Sequence, residues 1–125
     1  MPIRYRIDPK RGLVLTTATG VLTDDELLAH KRKLRADPNF RPDMCELSDV
    51  RQVTRLEVTP QGVQQFVEQD KSSEQPNYRL AIVAQADVVF GMARMYQTLT
   101  EKSGTQVGVF RDMETAEAWL FRRSD

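Results

Sequence analysis

The first part of the chain alternates between apolar and polar residues. In residues 3–8 (IRYRID) every second side chain is apolar, which is the pattern of a half-buried strand. The turn residues 9–12 (PKRG) separate this segment from an apolar, β-branched segment at 13–22. Two strands joined by a short turn predict an antiparallel hairpin.

After the hairpin, helical and strand patterns alternate along the chain. Thr23 opens the first helix, with Glu26 three residues later as in a capping box, and the prolines of residues 37–43 end it. The further predicted elements are a strand at 44–50, a loop at 51–59, a helix at 60–70, a connector at 72–78, a strand at 79–85, a helix at 87–102 capped by Asp87, a strand at 106–110 and a final helix capped by Asp112.

This order of elements predicts one α/β domain that spans residues 1–125. Strands that alternate with helices pair in parallel through right-handed crossovers. We therefore expect a five-stranded mixed sheet, with an N-terminal antiparallel hairpin followed by parallel β-α units, and four main helices.

The net charge of the chain limits the classes of partner that the sequence favours. Eighteen basic and eighteen acidic side chains cancel, so nothing favours nucleic acid or an anionic membrane as the partner. No apolar run approaches the ~18 residues needed to cross a membrane, and the first ten residues form no secretory segment. We expect a cytoplasmic protein without stable membrane insertion.

The basic run HKRKLR (30–35) follows the acidic residues DDE (24–26) in the first helix. Acid at the start of a helix and base at its end both favour the helix dipole. The basic run is therefore interpreted as a solvated helix face. Lys31 nevertheless falls with Leu27, Leu28 and Leu34 on the predicted inner stripe of the helix, with its aliphatic stem along that stripe.

Few residues offer catalytic or metal chemistry. The chain contains one cysteine, Cys45, and one histidine, His30, in different elements. Glu26 and His30 share a helix face at the i, i+4 spacing of metal ligands, but no other cluster completes a site, so a surface charge pair is favoured. Cys45 is interpreted as a small buried thiol. We expect no catalytic residues, no metal, no cofactor and no enzymatic activity.

Three motifs give the chain a resemblance to a known group of proteins. The third strand ends LSDV (47–50), the third helix contains GMARMY (91–96), and the last helix has the pattern D.E.A..WL from Asp112. Together they resemble the SpoIIAA-like proteins, a small bacterial group between STAS domains and CRAL-TRIO lipid-transfer domains. The resemblance implies a superhelical β-α fold and a role as a binding or regulatory module.

The STAS relatives are anti-anti-sigma factors that are switched by phosphorylation of a serine. That serine lies at the start of the helix after the third strand, in a motif close to DSSG. The matching segment here is TPQG (59–62), so Pro60 occupies the serine position. The resemblance therefore implies a module without a phosphoserine switch. Thr59 is interpreted as the helix N-cap, with phosphorylation of its hydroxyl as the alternative.

Asp49 follows the third strand near the carboxyl edge of the sheet, where open α/β folds bind ligands. An ion pair with Arg51, Arg55 or Arg94 is the favoured interpretation, and a ligand contact is the alternative.

The third helix has a wide apolar surface. Its expected buried stripe is Val88, Met92, Met95 and Leu99, with Val89, Ala93 and Tyr96 beside it and Phe90 off it. Three interpretations stay open: a helix buried in the core, a homodimer face with Met and aromatic anchors, or the wall of a pocket for an apolar ligand. Gly91 within it is interpreted as a point where a strand or a partner helix approaches closely, and a ligand that presses on it is the alternative.

Two functions follow from these observations. The first is a regulatory module that acts through protein–protein contacts of the loop 51–59, the start of helix 60–70 and helix 87–102. The second is a carrier or sensor of a small apolar, lipid-like ligand. Its pocket would be lined by Phe66, Val89, Phe90, Met92, Met95 and Tyr96.

Overall fold

A computed structural model describes residues 2–41, 43–71, 78–101 and 105–122, with only the backbone for residues 69–71. Its elements are β1 (Ile3–Asp8), β2 (Leu13–Thr23), α1 (Asp24–Ala36), β3 (Cys45–Glu57), α2 (Pro60–Lys71), β4 (Arg79–Val83), α3 (Asp87–Leu99), β5 (Gln106–Phe110) and α4 (Met113–Leu120). The strand order is β1-β2-β3-β4-β5. Only the β1–β2 pair is antiparallel, and the other pairs are parallel. The predicted fold class is therefore confirmed.

The sheet separates two groups of helices. On one face, Ala116 and Leu120 of α4 pack on Leu47 and Ala81. The other face carries α1, α2 and α3, whose buried side chains pack on alternate residues of the same strands. We call it the three-helix face. All crossovers between parallel strands have the same hand, so the three crossover helices share this face.

The predicted loop at 51–59 is wrong, because β3 continues to Glu57. Its second half pairs with the end of β2, from Gln52 to Glu57, across two register shifts. The buried or half-buried apolar residues there are Val50, Val53 and Leu56, which recur every third residue. A strand that is irregular in register thus lacks the two-residue period that identifies strands in a sequence.

The helix starts agree with the predicted caps at three of four sites, among them Thr59 at the start of α2. Thr23 caps α1 and Asp112 caps α4, each through a side-chain oxygen that accepts a backbone N–H three residues later. The predicted cap of α3 is wrong, because Ala86 is its N-cap residue and makes no side-chain cap bond. Asp87 is the first helical residue, and its carboxylate lies 3.1 Å from Arg111.

Helix α3 is rotated from its predicted orientation. Its buried residues are Val89, Ala93 and Tyr96, whereas Val88 is 68% exposed and Leu99 is 41% exposed. The inward stripe thus includes the small Ala93, which lets the helix approach the sheet. The interpretation of Gly91 is also wrong, because a Cβ built there meets no described atom within 4 Å.

Some predictions lie outside the described residues. The connector at 72–78 does so except for Tyr78, and so does the predicted end of the third helix at residue 102. Within the described ranges, no helix is both long enough and apolar enough to cross a membrane.

Candidate functional site

A cavity of about 140 Å³ lies between the three-helix face of the sheet and the helices α1, α2 and α3. Helix α2 packs mainly between α1 and α3, and this arrangement leaves space above the sheet. Most of the wall is apolar. Representative side chains are Leu27 of α1, Val63 and Phe66 of α2, Ile82 of β4, and Val89 and Met92 of α3.

One part of the cavity wall is polar and centres on Glu46 of β3. Glu46 is 8% exposed. Its Oε2 accepts a hydrogen bond of 2.6 Å from the Thr16 hydroxyl and lies 3.2 Å from Nε2 of His30. Its Oε1 accepts a bond of 3.0 Å from the Tyr78 hydroxyl. Three polar partners, from β2, α1 and the residue before β4, thus surround one buried carboxylate, as burial of a charge requires.

These contacts keep Glu46 ionised. Burial alone would raise the pKa of Glu46, but hydrogen bonds from His30, Thr16 and Tyr78, together with the His30 charge, outweigh burial and lower it. Burial and the neighbouring Glu46 raise the pKa of Tyr78 well above its ordinary value. At neutral pH the group is therefore a carboxylate surrounded by donors.

Two further basic side chains, Lys31 and Arg35, belong to the same wall. The Lys31 ammonium lies 4.2 Å from the centre of the Phe66 ring. The pKa of Lys31 is lowered to about 7, first by burial and then by the charge of Arg35, while Glu46 opposes both effects. Burial also lowers the pKa of Arg35, although a guanidinium stays protonated at neutral pH.

The solvated interpretation of the basic run 30–35 is therefore wrong for part of it. His30, Lys31 and Arg35 line the cavity, while Arg32 and Lys33 are exposed. The i, i+4 spacing places Lys31 and Arg35 on one helix face, next to the apolar stripe of α1. Long aliphatic stems let such side chains lie against apolar surface.

The six residues predicted to line a pocket divide into two groups. Phe66, Val89, Met92 and Tyr96 line the cavity, whereas Phe90 and Met95 do not. Both of the latter are partly buried and pack against the core. The guanidinium of Arg111 lies 3.9 Å from the centre of the Phe90 ring in a cation–π contact.

Asp49 and Thr59 lie outside the cavity wall. Asp49 accepts two hydrogen bonds of 2.9 Å from the Arg51 guanidinium, in the fork geometry of a structural ion pair. The Thr59 hydroxyl accepts a bond of 2.9 Å from the Gly62 N–H and donates one of 2.7 Å to Asp24. Thr59 is thus the N-cap of α2, and a phosphate on it would meet the Asp24 carboxylate.

The predicted Glu26–His30 pair is replaced by the His30–Glu46 contact, because His30 turns towards the sheet. Among the described residues, no three His, Cys, Asp or Glu side chains are grouped as a metal site. Cys45 is half-buried and lies 3.7 Å from the Gly12 carbonyl, and burial raises its pKa. Its thiol is therefore poorly suited to nucleophilic chemistry.

Sequence reasoning missed the polar part of the cavity. Lys31 is predicted on the inner stripe of α1, but its polar surroundings are not. Glu46 carried a signal that was not used, since it is a carboxylate inside an otherwise apolar strand. Tyr78 and Thr16 carried none, because their role depends on which strands become neighbours.

Comparisons with known proteins support the fold. No protein-family model matches the chain, and no curated protein sequence matches it. Among solved structures, the chain is similar to an uncharacterized protein from the DUF3478 family with a SpoIIAA-like fold, from Shewanella loihica PV-4. The two are 17% identical with a TM-score of 0.61, over 94% of this chain and 93% of that chain. The chain therefore has a SpoIIAA-like fold, as the sequence motifs indicated.

Proposed function

We propose that this protein is a non-enzymatic module that binds a small apolar ligand between its sheet and helices α1–α3. The observation that carries the proposal is the cavity, which combines an apolar wall with a defined polar end. Ligand sites in proteins have this composition: mostly apolar walls with a few placed polar groups. Glu46 already accepts bonds from three neighbours, which suits a fixed polar wall.

The size of the cavity limits the ligand. Its volume of about 140 Å³ is close to that of an engineered protein cavity that binds benzene, at ~150 Å³. A long acyl chain is too large for this space. The ligand of the carrier or sensor is therefore a compact molecule with about six to eight carbon atoms in its apolar part.

The proposal is tested by filling the cavity. Ala93 is buried on α3 and lines the cavity, so Ala93→Leu adds three carbons to this space. We expect native mass spectrometry of protein purified from cells to show an added small mass on the wild type and not on this variant. Titration with phenylacetate and 2-phenylethanol should show binding of at least one by the wild type and at least tenfold weaker binding by the variant.

The matched control is Ala118→Leu, at an exposed position of α4 on the opposite side of the sheet. It should retain the added mass and the wild-type affinity. Because overpacking costs roughly 1–3 kcal/mol, unfolding curves of both variants establish that they are folded. Equal binding by wild type and Ala93→Leu, or no binding by the wild type, would contradict the proposal.

A second candidate is a regulatory module that acts through protein contacts, including contacts with a second copy. The observation that favours it is Val88, which is 68% exposed in the first turn of α3. The starts of α2 and α3 follow the carboxyl ends of parallel strands and so lie at one edge of the sheet. Native mass spectra test the contact with a second copy. A mass of twice 14.3 kDa that is lost in Val88→Lys supports a homodimer, and a monomeric wild type contradicts the homodimer.

A further inference from the structure

Strand β1 forms one edge of the sheet, with β2 as its neighbour. In an antiparallel pair, residues that exchange hydrogen bonds across the strands alternate with residues that do not. The Thr19 N–H donates to the Pro2 carbonyl at 2.8 Å, one position before Ile3 in the same register. The backbone groups of Ile3, Tyr5 and Ile7 therefore point away from β2, towards the open edge.

A groove of about 860 Å³ lies beside this edge. One wall is β1, and the other is formed by the end of α1 and the segment that follows it. The Tyr5 hydroxyl donates a bond of 2.6 Å to the Asp37 carboxylate, which holds that segment next to β1. Among the described residues, no backbone group bonds to the outward N–H and C=O groups of β1. Such an open edge is a template for an added strand.

The exposed side chains of β1 determine which charges an added strand would meet. The side chains of Ile3, Tyr5 and Ile7 are half-buried, and the two that lie between them are exposed. These two are Arg4 and Arg6, and neither forms an ion pair within the part of the chain that the structure describes. An added strand would place its own side chains about 5 Å from them.

The opposite wall of the groove adds to the positive charge. Its charged residues are Lys33, Asp37 and Arg41. The Asp37 carboxylate already accepts the Tyr5 hydroxyl, and Arg41 pairs with the exposed Asp43. The Lys33 ammonium lies 5.9 Å from the centre of the Tyr5 ring and is exposed. The charges along the groove therefore favour an acidic partner segment.

A second copy of β1 is a poor match for this edge. Antiparallel pairing of two copies centred on Tyr5 would place Arg4 of each copy opposite Arg6 of the other. Like charges directly opposite each other destabilise a strand pair, whereas opposite charges stabilise it. Charged side chains on edge strands are a common protection against self-association.

We propose that β1 binds an extended acidic segment of a partner protein, which adds one strand to the sheet antiparallel to β1. Acidic side chains of the segment lie opposite Arg4 and Arg6, and apolar side chains between them lie on the side of Ile3 and Ile7. Antiparallel pairing places the two arginines in pairs without hydrogen bonds, where opposite side chains are closest. This surface is separate from the cavity and does not depend on the proposed function.

The test uses two fluorescein-labelled peptides and anisotropy titrations of the full chain at low salt. In the acidic peptide, three valines alternate with two glutamates, and in the basic peptide lysines replace the glutamates. We expect wild-type protein to bind the acidic peptide about tenfold more tightly than the basic one. The double variant Arg4→Glu/Arg6→Glu should reverse this preference, and its gain of binding to the basic peptide would show that it is folded.

The matched control is Arg32→Glu/Arg94→Glu, which changes the net charge equally at exposed positions of α1 and α3 outside the groove. This control should keep the wild-type preference, because the charge that matters lies on β1. The proposal is wrong if folded wild-type protein does not bind the acidic peptide, or if the β1 variant keeps the wild-type preference.

Methylated peptides test the strand pairing itself. In the proposed pairing the valine N–H groups face β1 and the glutamate N–H groups face away. N-methylation of the valines should therefore weaken binding by about tenfold, and N-methylation of the glutamates should leave it unchanged. Equal effects of the two modifications would contradict an added strand.

Amide hydrogen exchange measured by NMR locates the contact. Adding the acidic peptide should slow the exchange of the Tyr5 and Ile7 amides, because their N–H groups become bonded, and should leave the amides of β5 at the opposite edge unchanged. Slow exchange of Tyr5 and Ile7 in the free protein, together with a dimer mass, would assign the edge to a second copy and contradict the proposal.

Discussion

At the scale of single residues, Glu46 determines the polar character of the cavity. Its neighbours along the chain face elsewhere: Leu47 is fully buried against α4. The carboxylate instead points to the three-helix face, where Thr16, His30 and Tyr78 hold it. The same donors that stabilise the ionised Glu46 would be left without their acceptor if the charge were removed.

We therefore expect Glu46→Gln to lower the free energy of unfolding by about 1–3 kcal/mol at pH 7, because an amide places an N–H₂ group where the carboxylate accepted bonds. The measurement is urea unfolding. The control is Glu57→Gln, which removes an exposed ion pair with Arg55 and should cost at most about 1 kcal/mol.

The contribution of Glu46 to the free energy of unfolding depends on pH in a definite direction. Glu46 has a lowered pKa in the folded protein, so its contribution is complete above its ordinary value of 4.5 and is lost as the pH falls below it. The difference in free energy of unfolding between wild type and Glu46→Gln should therefore become smaller at acid pH. A gap that stays constant from pH 7 to pH 3 would contradict the account of Glu46 as a buried carboxylate.

At the scale of elements, two helical glycines show opposite surroundings. A Cβ at Gly62 of α2 would collide with the Asp24 carboxylate, which accepts bonds from the Thr59 N–H and hydroxyl. A Cβ at Gly91 of α3 would meet no described atom within 4 Å. The two positions form a matched pair, since alanine is favoured over glycine in both helices on propensity alone.

Gly91→Ala should raise the free energy of unfolding by about 0.5–1 kcal/mol, as expected for an unhindered helix position. Gly62→Ala should lower it by about 1–3 kcal/mol, because the Asp24 carboxylate must leave the start of α2. Denaturant unfolding of both variants gives the comparison. Stabilisation by Gly62→Ala would show that Asp24 does not hold α2 to α1.

Most but not all of the elements can be predicted from the sequence. The chain order of strands and helices, the hairpin and the caps at Thr23, Thr59 and Asp112 follow from local patterns, because turns, caps and periodicity involve neighbouring residues. The continuation of β3 through Val53 does not, because its irregular pairing with β2 has no local period. The rotation of α3, which leaves Val88 exposed, does not follow from local patterns either, because it depends on the surface against which the helix packs.

At the scale of the whole molecule, the cavity results from helix packing on a sequential, largely parallel sheet. The apolar half of its wall could be foreseen in Phe66, Val89, Met92 and Tyr96, since these residues fall on the helix faces that turn inward. The polar half could not, because Glu46, Lys31 and Tyr78 belong to three elements that only the fold brings together.

The most direct test of the cavity uses the three isoleucines of the chain, Ile3, Ile7 and Ile82. Ile82 lines the cavity, while Ile7 packs in a separate cluster with Tyr5 and Met44. In methyl NMR spectra of protein labelled at the isoleucine δ1 methyl groups, we expect added phenylacetate to shift the Ile82 signal in a saturable manner and to leave the Ile7 signal in place. An unchanged Ile82 signal, or equal shifts of Ile82 and Ile7, would contradict a ligand site between the sheet and helices α1–α3.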